Sequence, residues 1–77
     1  MTLTIKYFGQ LAEIVSRNEE VINFSGNTIS DLLEILFEKY SKLKNVDFQV
    51  AQNNQIVNLE TKILTNEIAL LPPFAGG

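Results

Sequence analysis

Cysteine and histidine are both missing from the 77 residues, which excludes disulfides, thiol nucleophiles, imidazole general bases and a conventional zinc site. Glycine-rich phosphate loops are missing too, and the carboxylates are scattered over helix faces and turns, so a self-contained enzyme is not expected. Positive charge is sparse. Six Lys and Arg stand against nine Asp and Glu, for a net charge of −3, and no basic stripe runs along any segment. Phosphate neutralisation supplies most of the affinity for nucleic acid, so that partner class is excluded, and an acidic carrier docking on basic partners fits better. No apolar run approaches the length of a membrane span. The start Met1-Thr2-Leu3-Thr4 has neither the basic nor the apolar region of a secretion signal. Together with the absent cysteines this points to the cytoplasm.

What remains is one small module. Residues 1–77 show no composition shift or low-complexity linker, so they read as a single domain. A chain of this size buries only about 60% of its unfolded surface.

Thr2 to Phe8 alternates as a strand, with Leu3, Ile5 and Tyr7 on one face, which leaves Phe8 on the polar face. Gly9 breaks the strand. Gln10 to Ser16 reads as two helical turns with Leu11, Ile14 and Val15 on one side, and Glu20 to Phe24 as a second strand. Ser25-Gly26-Asn27 turns into a helix from about Thr28, which can cap the orphan amides, with Asp31 completing a capping box. Ile29, Leu32, Leu33, Leu36, Phe37 and Tyr40 form its apolar stripe. Lys39, Lys42 and Lys44 gather near its C-terminal end, where cations suit the helix dipole, and read as a solvated helix end before a binding patch.

Phe48 to Gln52 is a third strand, and Gln52-Asn53-Asn54-Gln55 reverses the chain into Ile56 to Leu59, since Asn tolerates the left-handed backbone of tight turns. If Val57 and Leu59 face inward, Ile56 faces outward. Thr61 to Asn66 leads to a last strand, Glu67 to Leu71, with Ile68 and Leu70 on one face and Ala69 and Leu71 on the other. Phe8, Ile56 and Leu71 are therefore surplus apolar residues on outer faces. If the first and last strands are neighbours, the three would join Phe74 in an apolar docking patch; burial of any of them under the short helix is the alternative.

The chain closes on Pro72-Pro73-Phe74-Ala75-Gly76-Gly77. Two prolines remove two backbone donors and hold the residue before each extended, so the last strand must stop pairing and leave the sheet. Residues 72–77 then form an extended tail whose side chains shrink to nothing, leaving the Gly77 carboxylate on backbone thin enough for a narrow tunnel. The competing reading is that Gly-Gly is incidental to a plain interaction module.

The order strand, short helix, strand, long helix, three strands, tail resembles the α+β, ubiquitin-like β-grasp fold, a mixed sheet of about five strands with one main helix. Ile5-Lys6-Tyr7-Phe8-Gly9-Gln10-Leu11-Ala12-Glu13, Val50-Ala51-Gln52-Asn53 and Ile68 to Gly77 are similar to the MoaD family, the small sulfur-carrier subunits of molybdopterin synthase. The chain departs from that family at Gln52, where Val is usual, and at Thr65-Asn66-Glu67, where the family has a Gly-Asp-Glu turn. The resemblance implies that the Gly77 carboxylate is adenylated by an E1-like adenylyltransferase using ATP and Mg²⁺, and is then converted to a thiocarboxylate. The sulfur would pass to a cyclic pterin precursor held by the large synthase subunit. It implies that the chain binds no cofactor itself, and it places Phe8, Ile56 and Leu71 at the partner interface. A ThiS-like carrier for thiamine synthesis and a ubiquitin-like protein modifier share the fold and the tail and stay open as alternatives.

Overall fold

A computed structural model describes residues 1–73. Five strands, β1 (Thr2–Tyr7), β2 (Glu19–Asn23), β3 (Gln49–Gln52), β4 (Gln55–Val57) and β5 (Glu67–Leu71), make one mixed sheet in the order β2-β1-β5-β3-β4. β1 and β5 run parallel at its centre, and every other pairing is antiparallel. Helices α1 (Gln10–Val15) and α2 (Ile29–Lys39), with a 3-10 helix over Ser41–Asn45, complete the fold. This is the β-grasp arrangement that the order of elements predicts.

The core lies on one face of the sheet. Leu3, Ile5 and Tyr7 of β1, Val50 of β3, and Ile68 and Leu70 of β5 cluster with Ile29, Leu32, Leu33 and Leu36 of α2, with Leu11 and Val15 of α1, and with Leu43. Each strand contributes alternate residues, as a half-covered sheet requires, and α2 contributes its i, i+3, i+4 stripe. At about 25 cal/mol per Å², burying a side chain such as Leu36 stabilises the fold by roughly 2 kcal/mol.

α2 begins as its sequence dictates. The Thr28 hydroxyl accepts from the Asp31 amide at 3.3 Å, and the Asp31 carboxylate accepts from the Thr28 amide at 3.1 Å and the Asn27 amide at 2.8 Å. Those backbone bonds hold the Asp31 carboxyl below the usual carboxylate range. The remaining first-turn donors are met from the loop before β5: the Ile29 amide donates to the Thr61 carbonyl and the Ser30 amide to the Leu59 carbonyl.

The β3–β4 hairpin turns through Asn53 and Asn54 at φ 57° and 63°, both left-handed, the pattern that matches a two-residue turn to the twist of the strands. β4 then stops at Val57, two residues earlier than the alternation of Ile56 to Leu59 suggests, and Leu59 is exposed, not inward. Asn58 is the reason. Its side-chain oxygen accepts from the Glu60 amide at 2.9 Å and the Thr61 hydroxyl at 3.1 Å, closing a local turn that competes with the ladder. Smaller differences are that β2 starts at Glu19 and that Phe48 precedes β3, where it packs edge-on against Phe37.

The loop is also stapled by Gln52, a buried polar residue at the end of β3. Its amide donates to the Lys62 carbonyl at 3.0 Å and its oxygen accepts from the Leu64 amide at 2.7 Å. Gln52 thus ties the end of β3 to the connection between β4 and β5. Gln52→Val should keep the fold and raise the hydrogen-exchange rate of the Leu64 amide about fivefold, since a net hydrogen bond is worth about 1 kcal/mol. Unchanged exchange at Leu64 would remove the staple.

Candidate functional site

The site grows from the outer face of the sheet, opposite α2. Because Tyr7 and Leu70 point into the core, Phe8 and Leu71 point outward, and the parallel ladder carries on past Tyr7 through a bond of 3.1 Å from the Phe8 amide to the Leu70 carbonyl. Phe8 therefore lies alongside Leu71. Ile56 pairs with Ala51, and Ala51 with Ala69, so Ile56 reaches the same face from the edge strand across two small residues. Phe8 is 45% exposed and Ile56 55%, while Leu71, Ala51 and Ala69 are half-buried. Burial under α1 is thereby excluded for Phe8 and Ile56. Lys6 and Glu67 pair at 3.3 Å on the same face and give the apolar strip a charged margin. An exposed aromatic next to aliphatic and small residues, rimmed by charge, is the composition of a docking surface.

The strip leads straight into the tail. β5 makes its last pairing at Leu71, opposite Gln49, and Pro72, which has no amide hydrogen to offer, follows at once. Pro72 and Pro73 are exposed. Phe74, Ala75, Gly76 and Gly77 lie outside the described residues, so the fourth member of the predicted patch and the reactive end have no place in this geometry.

A second cluster, on the core side, escaped the sequence reading. Glu20 faces inward opposite Ile5 and is buried. One carboxylate oxygen accepts from the Tyr7 hydroxyl at 2.7 Å and the Tyr40 hydroxyl at 2.6 Å; the other accepts from the Lys39 ammonium and lies 3.7 Å from the Arg17 guanidinium. Tyr7 and Tyr40 meet edge to face at 6.2 Å. Burial alone would raise the Glu20 carboxyl, but the hydrogen bonds from Lys39, Tyr40 and Tyr7 outweigh it and hold the group below the usual carboxylate range. The two hydroxyls are pushed up, first by burial and then by Glu20, and Lys39 is raised by the same carboxylate. The signal was available in the sequence. Glu20 is in phase with Ile22 and Phe24, and tyrosines on two apolar stripes need partners for their hydroxyls. Every buried polar side-chain atom among the described residues is matched, so the cluster reads as structure. It also engages Lys39, which stays exposed like Lys42 and Lys44 but is paired with Glu20.

Among the described residues no group of three or more His, Cys, Asp or Glu could hold a metal ion, and no helix is long and apolar enough to cross a membrane. A half-covered mixed sheet grasping one helix is the architecture of ubiquitin-like proteins of the β-grasp class. Within that class residues 5–77 match the ThiS family, and the chain belongs to it. It is 29% identical over 84 aligned positions to the molybdopterin synthase sulfur carrier subunit of Caenorhabditis briggsae, covering 100% of this chain and 99% of that one. Its structure is similar to that of small archaeal modifier protein 1 from Methanosarcina acetivorans, with a TM-score of 0.77, 28% identity, and coverage of 99% and 96% of the two chains. It is also similar to a chain of the complex between subunits 1 and 2 of molybdopterin-converting factor from Helicobacter pylori, with a TM-score of 0.68, 26% identity and full coverage of both chains.

Proposed function

We propose that this chain is the small sulfur-carrier subunit of a molybdopterin synthase and that the carboxylate of Gly77 is the group that carries the sulfur. The observation that carries this reading is the end-to-end alignment with a relative of that name, joined to a family match that runs through Gly77 itself. An α-carboxylate with a pKa of about 3.5 is ionised at neutral pH and can attack the α-phosphorus of ATP, releasing pyrophosphate. Hydrosulfide from the sulfur donor then attacks the acyl carbon, AMP leaves, and loss of a proton gives the thiocarboxylate. An E1-like adenylyltransferase supplies ATP, Mg²⁺ and the phosphate contacts, and the large synthase subunit receives the sulfur on the pterin precursor. This chain supplies a carboxylate, a thin tether and a docking face, as group carriers do, and works in the cytoplasm without a cofactor of its own.

Docking falls to Phe8, Leu71 and Ile56. Phe8→Arg places a charge in the middle of the apolar strip and should weaken binding of the large subunit roughly 30-fold or more, the effect of losing a hot-spot aromatic. Because Phe8 is already half out of the fold, the melting temperature should stay within about 2 °C of wild type. Calorimetric titration against the large subunit decides this, and an unchanged affinity would remove Phe8 from the interface.

The reading as a whole is tested by intact-protein mass spectrometry after incubation with the E1-like partner, ATP and a sulfur donor, followed by the large subunit and pterin precursor. One oxygen of the chain should be replaced by sulfur and the sulfur lost again when precursor is added. Sulfur that loads but is not discharged would transfer the chain to thiamine synthesis or another thiolation pathway. A ladder of lysine conjugates in cells would make it a protein modifier instead.

A further inference from the structure

The proline that begins the tail is seated where another residue would carry its side chain. β1 turns into α1 at Gly9, which has φ 61° and ψ −136°, a backbone conformation open essentially to glycine alone. The bond from the Phe8 amide to the Leu70 carbonyl holds this turn against the end of β5, so the chain leaving Leu71 meets Gly9. A Cβ on Gly9 would stand 2.7 Å from Pro72 Cγ and 3.6 Å from Pro72 Cδ. The pyrrolidine ring therefore fills the volume that any side chain at position 9 would need.

From this contact we infer that Gly9 is a positioning residue for the carrier function: it seats Pro72 and so sets the direction in which the reactive end leaves the docking face. The inference rests on the reading of Gly77 as that end. Both halves of the contact are conformationally restricted, Pro72 by its ring and Gly9 by a turn that only glycine accepts, so the direction is built in before any partner binds. Leverage makes the direction matter. Five residues separate Pro72 from the end of the chain at Gly77, at most about 17 Å when extended, so the direction taken at Pro72 bounds where the carboxylate can reach. Misplacing a reacting group by 1 Å can already cost about 100-fold in rate.

Two costs of Gly9→Ala must be separated, the strain of a positive φ and the overlap with Pro72. Pro72→Gly removes the overlap and leaves the strain. In thiocarboxylate formation with the E1-like partner, Gly9→Ala should lower kcat at least tenfold with KM within about threefold, since Phe8, Leu71 and Ile56 still dock. Pro72→Gly should cost about threefold, and the double variant should match Pro72→Gly within about twofold, so that the second substitution rescues the first. Instability alone would not move kcat in this pattern at a temperature where both variants are folded, which melting curves establish. If Gly9→Ala does not fold, recovery of folding in the double variant supports the seat. Undiminished kcat in a folded Gly9→Ala, or losses that add in the double variant, would overturn it. One readout needs no partner: a nuclear Overhauser contact between a Gly9 Hα and the Pro72 ring is expected, and its absence overturns the seat even if sulfur loading proceeds. No loading of the wild type, with that contact present, refutes the reading of Gly77 and with it the carrier role of Gly9.

Discussion

Gly76→Val is expected to leave the melting temperature unchanged and to abolish thiocarboxylate formation at Gly77. Among the described residues the buried core ends at Leu70, and the substitution changes none of its members. The loss is instead one of access. Glycine lets the walls of a partner's channel approach the backbone directly, whereas valine adds a branched side chain that is stiff at χ1 and restricts φ and ψ. An adenylating site must bring the carboxylate within about 3.5 Å of the α-phosphorus in line with its leaving group, and a residue next to that carboxylate has no slack to absorb three extra carbons. Intact mass after incubation with the E1-like partner, ATP and a sulfur donor reads the result. A normally loaded Gly76→Val would show that the end is presented on an open surface, and the threading account would be lost.

The same reasoning explains why the tail follows a central strand. β5 is clamped between β1 and β3, so its direction is among the best determined in the sheet. Pairing ends at Leu71 because Pro72 has no donor to continue it. Pro72 and Pro73 fix φ where the chain leaves the sheet, and on the proposed reading this leaves less entropy to lose on insertion. The apolar strip proposed for docking and the residues that lead into Pro72 are continuous, since Leu71 belongs to both.

Much of this was legible along the chain wherever the deciding interactions are local. The capping box of Thr28 and Asp31, the stripe of α2, the left-handed pair Asn53-Asn54 and the alternation that turns Phe8, Ile56 and Leu71 outward all depend on residues within a few positions of one another. What failed was decided by competition or by distance. Alternation from Ile56 allows Leu59 to face inward with Val57, but it carries no information about Asn58, whose side-chain turn ends the strand first. The 3-10 helix with its buried Leu43 was missed because so short a segment has no period to recognise. Gln52 reaches residues ten and twelve positions away, and Pro72 meets a glycine from the other end of the chain. Contacts of that kind exist only once the sheet order is known. Glu20 is the intermediate case: its phase in β2 marked it as an inward carboxylate, but its partners come from β1 and from the end of α2.

Glu20→Ala should therefore be the most destabilising single substitution outside the aliphatic core. It strands the Tyr7 hydroxyl in the interior and leaves Tyr40 and Lys39 without their shared acceptor. Removing one member of a buried, hydrogen-bonded charge cluster costs about 3 kcal/mol or more, against a total of about 5–15 kcal/mol for a small domain. For a chain of this length that corresponds to a fall in melting temperature of roughly 12–24 °C. Acidity tests the same carboxylate in the wild type. The folded state holds Glu20 below its unfolded value of about 4.3, so above that pH both states are ionised and the contribution is complete. Between the unfolded and the folded value the unfolded chain takes up a proton that the folded one refuses, and stability declines; below the folded value the contribution is gone. Denaturant midpoints should accordingly be flat from neutrality to about pH 5 and fall steeply below about pH 4. Glu20→Gln should start lower and show a shallower fall, with a residual slope from Asp31, whose carboxyl the Asn27 and Thr28 amides also hold down. Parallel curves for Glu20→Gln and wild type would mean that the acid sensitivity belongs to other carboxylates and that the Tyr7–Glu20–Tyr40 cluster titrates without consequence for the fold.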